Sequence, residues 1–121
     1  MNHSAPTLRA TLRLAADDAE RSAAIEAWRA DAAGHPPTRP VVIAEGLLFD
    51  RVGPGGMPLV GLAAGCPCCT GLLALRVVLG RTLRRFRPDA ILLLTAQAGH
   101  FPRLRQLLEG GELGLRFEVD G

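Results

Sequence analysis

Three short apolar runs constrain the fold of this chain more than any other feature: Pro40-Val41-Val42-Ile43-Ala44, the segment from Pro58 to Ala64, and Ala90-Ile91-Leu92-Leu93-Leu94. A strand without a polar face must be covered on both sides, which is the habit of strands in parallel sheets. Helix-forming segments lie between these runs. Ala19 to Ala33 follows Asp17-Asp18, acids suited to a helix start, and carries Ile25 and Trp28 as anchors on one face. Gly34-His35-Pro36-Pro37 ends it, because proline cannot continue a helix and glycine caps one. From Gly71 to Phe86, Leu72, Leu75, Leu79, Leu83 and Phe86 recur at helical spacing until Pro88-Asp89 breaks the pattern. Phe101 to Leu108 predicts a short further helix.

Two segments alternate instead. Thr7 to Leu14 sets Leu8, Ala10, Leu12 and Leu14 against Thr7, Arg9, Thr11 and Arg13, the pattern of a half-buried strand at a sheet edge. Glu112 to Val119 alternates likewise and predicts a last strand. Strands that alternate with helices predict an α/β fold: one three-layer domain over residues 1–121, with an open, largely parallel sheet and helices on both faces. One pairing stays open. The connection from Gly46 to Met57 is about the shortest that allows a parallel crossover, so the strands on either side pair in parallel or as a hairpin.

Composition excludes several functions. All 14 basic residues are arginine, so the lysine of a Walker-type phosphate loop is missing. A net charge of +2 is too small to point to nucleic acid. Arg81, Arg84, Arg85 and Arg87 close a helix, where cations complement the helix dipole, and no aromatic platform for base stacking accompanies them. No apolar stretch approaches the roughly 20 residues of a membrane helix. Met1 to Pro6 lacks a basic segment followed by an apolar one, so no signal peptide is expected. The expectation is a cytoplasmic protein with reduced thiols.

The cysteines carry the chemistry. All three fall in Gly65-Cys66-Pro67-Cys68-Cys69-Thr70, between an apolar run and a helix. Ligands of a parallel sheet gather beyond the carboxyl ends of its strands. Three such ends bear suitable groups: Glu45 after the first buried strand, Cys66, Cys68 and Cys69 after the second, and His100 after the third. The helix starting near Thr70 points its positive end at Cys68 and Cys69, which favours thiolate. Thiolate, carboxylate and imidazole are ligands for zinc or cobalt. Adjacent Cys68 and Cys69 do not easily hold one ion together, so Cys66 with either of them is the better pair. Plainer roles stand beside these: buried structural cysteines, a solvated Glu45 at a strand end, and His100 as a turn or cap residue. His3 and His35 receive no role.

The order of motifs resembles a known family. Val41-Val42-Ile43-Ala44-Glu45-Gly46, then Leu62-Ala63-Ala64-Gly65-Cys66-Pro67-Cys68-Cys69-Thr70, then Asp89 to Thr95 looks like the core of the CobW-type GTPases and metallochaperones, over about residues 39 to 109. That family pairs an apolar strand ending in Asn-Glu-Phe-Gly with a Gly-Cys-x-Cys-Cys-Thr motif and a strand ending in Glu-Thr-Thr-Gly. The resemblance implies that Glu45 stands at the switch-region glutamate and that Cys66, Cys68 and Cys69 stand at the metal-site cysteines. It also implies a GTPase-like core. Here, however, Thr7 to Leu14 runs into Ala15-Ala16-Asp17-Asp18 where the family has its glycine-rich lysine loop, and Leu94 replaces the glutamate of the third motif. GTP hydrolysis is therefore not expected. The first expectation is a non-hydrolysing relative that holds zinc through its cysteines, as a homodimer or beside a CobW-type partner protein. A thiol redox protein using the Cys66–Cys69 spacing, or a metal-free interaction module, are the alternatives.

Overall fold

The computed structural model describes residues 7–62, 70–110 and 116–120. Strand β1 (Thr7–Leu14) leads into helix α1 (Asp18–Asp31), and β2 (Pro40–Glu45) into the two-residue strand β3 (Arg51–Val52) and β4 (Pro58–Leu62). Helix α2 (Thr70–Phe86), strand β5 (Ala90–Thr95), helix α3 (Phe101–Glu109) and strand β6 (Arg116–Asp120) complete the order. The strands form one six-stranded sheet in the order β3-β4-β2-β5-β1-β6. All its pairings are parallel except that of β3 with β4.

Local chemistry explains the helix boundaries. Asp17 caps α1, its Oδ1 accepting the Glu20 amide at 2.8 Å, and Glu20 reaches back to accept the Ala16 amide at 2.7 Å. Two otherwise unpaired amides are thereby satisfied. Helix α2 closes with Arg87 in the left-handed conformation (φ 46°), its amide on the Leu83 carbonyl at 3.1 Å, and Pro88 prevents continuation. The next residue, Asp89, accepts the amides of Thr38 and Arg39, both at 2.7 Å. This carboxylate fastens the loop entering β2 to the start of β5.

The apolar runs are covered on both sides, as their composition requires. Val41, Ile43, Val60, Leu62, Ile91 and Leu93 pack with Leu75 and Leu79 of α2 and Leu104, Leu107 and Leu108 of α3. On the opposite face Val42, Ala44, Leu59, Leu92 and Leu94 pack with Ile25 and the partly buried Trp28 of α1. The result is a helix layer on each side of a mostly parallel sheet.

Three expectations change. Strand β1 is not at an edge: β5 pairs with one side and β6 with the other. Alternation reports which side chains face the core, whereas edge position is a matter of backbone pairing and leaves no mark in side-chain period. Leu14 is 50% exposed rather than buried, and Ala15 takes the core position beyond it. The open pairing of β2 and β4 is parallel, with Glu45 in register with Leu62. The connection manages this without an α-helix: it doubles back as β3, outside β4, then turns through the short 3-10 helix Pro54–Gly56 into β4. Residues 63–64 of the second apolar run and 112–115 of the last strand lie outside the described residues.

Candidate functional site

Parallel pairing of β2, β4 and β5 brings their carboxyl ends to one edge of the sheet. Side-chain period then decides the face. Val41 and Ile43 look toward α2 and α3, as do Ile91 and Leu93, so Glu45 and Thr95, two residues further along each strand, share that face. β2 and β5 are neighbours with Ala44 opposite Leu94, which sets Glu45 beside Thr95. The chain leaves β5 through a short 3-10 turn, Ala98–His100, and α3 follows immediately on the same face. His100 is thereby lowered onto the Glu45 carboxylate.

The three side chains form a closed network. Thr95 Oγ1 donates to Glu45 Oε1 at 2.9 Å, and the Ala96 amide donates to the same oxygen at 2.7 Å. Glu45 Oε2 lies 3.3 Å from His100 Nδ1, and Thr95 Oγ1 lies 3.3 Å from that nitrogen. Glu45, Thr95 and His100 are buried, at 8%, 1% and 9% exposure. A carboxylate so far out of water requires hydrogen bonds of this kind to persist. Glu45 is therefore no solvated strand end, and His100 offers no side-chain cap to α3.

The sequence-expected residues divide into two groups. Glu45 and His100 meet. Cys66, Cys68 and Cys69 lie outside the described residues, and among the described residues no three of His, Cys, Asp and Glu gather closely enough to hold a metal. What the structure does describe is where their segment begins and ends. It departs from β4 at Leu62, whose carbonyl accepts the Gly46 amide at 2.8 Å, directly beside Glu45. Thr70, which follows it, is the first residue of α2, and α2 covers the face that bears the Glu45–His100 pair.

Sequence reasoning gave Thr95 no role; it is the last residue of β5, where its hydroxyl ties Glu45 to His100. A threonine directly after an apolar run, one strand away from a glutamate in the same place, is the signal that was there to read. A cavity of about 720 Å³ was also unforeseen. It sits at the opposite edge of the sheet, lined by Trp28, Arg39, Met57, Pro58 and Phe86 among others.

Compared with family models, curated proteins and solved structures, the chain has no match. Among the described residues no helix is long and apolar enough to cross a membrane.

Proposed function

We propose that this chain binds a transition metal, zinc in the first place, through Cys66, Cys68 and Cys69, with Glu45 and His100 completing the site. In this reading it is a non-hydrolysing relative of the CobW-type GTPases that stores, senses or hands over the ion. The observation that supports it most is the buried Glu45–His100 pair at the edge where β4 gives out. Cys66 follows Leu62 by four residues, so chain length alone holds it within about 14 Å of that strand end. A thiolate from this segment and an imidazole beside a carboxylate are the mixed donor set that zinc accepts. The metal's chemistry would be that of a soft-ligand zinc ion; the chain's own groups supply its ligands and their orientation.

Silence toward nucleotide has its own support. The start of α1 follows β1, where a phosphate loop would stand, and it is acidic: Asp17 caps it and Asp18 and Glu20 fill its first turn. A helix N-terminus attracts anions only while its amides are free and its surroundings are not negative.

The interaction-module reading has one observation in its favour. Leu48 and Phe49, directly after the site, are 86% and 79% exposed. Apolar side chains held so far into water beside a site suit a protein partner or a second copy of the chain.

Elemental analysis of protein purified without chelator, with a thiol count beside it, tests the proposal. One zinc per chain, or one per two chains, with protected thiols supports it. Metal-free protein that takes up no added zinc, with all three thiols reactive, leaves the interaction module in its place.

A further inference from the structure

The cavity at the amino ends of β2 and β4 has the build of a small-molecule site. Its volume of about 720 Å³ falls within the roughly 300–1,000 Å³ of pockets that take such ligands. Phe86 belongs to the helix layer on one face of the sheet and Trp28 to the layer on the other, so the cavity runs over the start of β2 from layer to layer. Every residue lining it lies among those the structure describes.

Its walls are apolar and poor in donors. Pro40 and Pro58 open β2 and β4, and Pro36, Pro37 and Pro54 line the same space. Proline has no amide hydrogen, so these positions offer a ligand apolar surface and no backbone donor. Trp28, Phe86 and Met57 add two aromatic rings and a thioether, which suit a planar apolar body.

Charge selects the other end of the ligand. The ionised side chains in the lining are Glu26, Arg29 and Arg39. Glu26 is matched to Arg29, at 3.6 Å. Arg39 is held differently: its Nε donates to the Arg87 carbonyl at 2.7 Å, while the oxygens of the nearby Asp89 are taken by the Thr38 and Arg39 amides. Among the described residues no ion pair forms on the Arg39 guanidinium. The negative helix ends at this edge carry cations of their own, Arg29 in the last turn of α1 and Arg84 and Arg85 in that of α2. Arg39 is left as the cation for a ligand. A carboxylate can meet a guanidinium with two parallel hydrogen bonds. One unmatched cation balances one negative charge, not the several of a nucleoside triphosphate.

We propose that this cavity binds a small aromatic carboxylate, its ring against Trp28, Met57 and Phe86 and its carboxylate on Arg39. The proposal is independent of the metal-binding reading.

Naphthoate and naphthol of the same ring substitution share one apolar body and differ in charge at neutral pH. The chain has one tryptophan, so the indole N–H of Trp28 gives a single signal in nitrogen-15 NMR and reports on the cavity directly. Titrated into the full-length protein, naphthoate should move that signal saturably and bind about tenfold or more tighter than naphthol, the worth of a charge-assisted hydrogen bond. Arg39→Gln should remove the preference while leaving naphthol binding unchanged. Arg39→Lys, which keeps the charge without the paired bonds, should retain part of it. Arg29→Gln should retain most of it, because Glu26 already matches that charge. An indole signal that stays still in millimolar naphthoate overturns the proposal. So does naphthol that binds wild type as tightly as naphthoate, or a preference that survives Arg39→Gln and is lost in Arg29→Gln.

Discussion

Glu45 and His100 come from a strand end and a helix entrance far apart in sequence, and they meet with Oε2 3.3 Å from Nδ1. The meeting is a product of topology. β5 lies beside β2 in the sheet, and the turn after Thr95 brings the chain back over the face on which Glu45 emerges. Because Glu45 also binds Thr95 and Ala96, the contact is part of the fold's own hydrogen bonding. Glu45→Ala should therefore destabilise the metal-free protein by about 1–3 kcal/mol, the cost of stranding buried donors. Urea unfolding in the presence of chelator measures it. A change within about 0.5 kcal/mol, typical of an exposed site, would mean that the network adds nothing to stability.

Asp89 has a similar structural task at the other edge of the sheet. Its carboxylate accepts the Thr38 and Arg39 amides, and its own amide binds the Arg39 carbonyl at 3.2 Å. Asp89→Ala should cost about 1–2 kcal/mol, less than a fully buried pair because water can replace part of the loss. Hydrogen exchange should quicken at Thr38 and Arg39 first. Unchanged protection at both amides would show that the loop is held by something else.

Gly61 sits where a side chain has no room. A Cβ added there would stand 2.5 Å from the Leu47 carbonyl oxygen, which is backbone and cannot swing aside. The Gly61 amide also donates to Asp50 Oδ1 at 2.8 Å, so the connection after Glu45 is held close against β4. Gly61→Ala should destabilise by about 1–3 kcal/mol and disturb the Glu45 end of β2. A melting temperature equal to wild type would show that this loop yields freely.

Nucleotide binding should be absent. An acidic, capped start to α1 and a chain without lysine do not supply the phosphate loop of a Walker-type site. Calorimetric titration with magnesium and GTP or ATP should show no heat of binding at micromolar concentrations. Tight magnesium-dependent binding would end the description of this chain as a silent relative of GTPases.

Much of the fold was readable because its signals are local. Two-sided burial of Val41 to Ala44 and Ile91 to Leu94 marks parallel strands, and Asp17 and Pro88 mark helix limits. The edge misassignment of β1 and the overlooked β3 have another origin. Both depend on which backbone lies alongside, and Arg51-Val52, exposed on both residues, carries no periodicity to read. The site was half legible for the same reason. Strand ends pointed to Glu45 and His100 separately, but their contact, and the part played by Thr95, needed the register between β2 and β5.

The central claim is that the cysteine segment holds a metal beside the Glu45–His100 pair, and zinc content tests it most directly. Wild-type protein, Cys66→Ser/Cys68→Ser, Glu45→Ala and His100→Ala should be purified in parallel without chelator and assayed for zinc per chain. Zinc should be lost from the double cysteine variant and only reduced in Glu45→Ala and His100→Ala, in keeping with thiolates as the principal ligands. A double cysteine variant that keeps the full zinc content of the wild type would contradict the account.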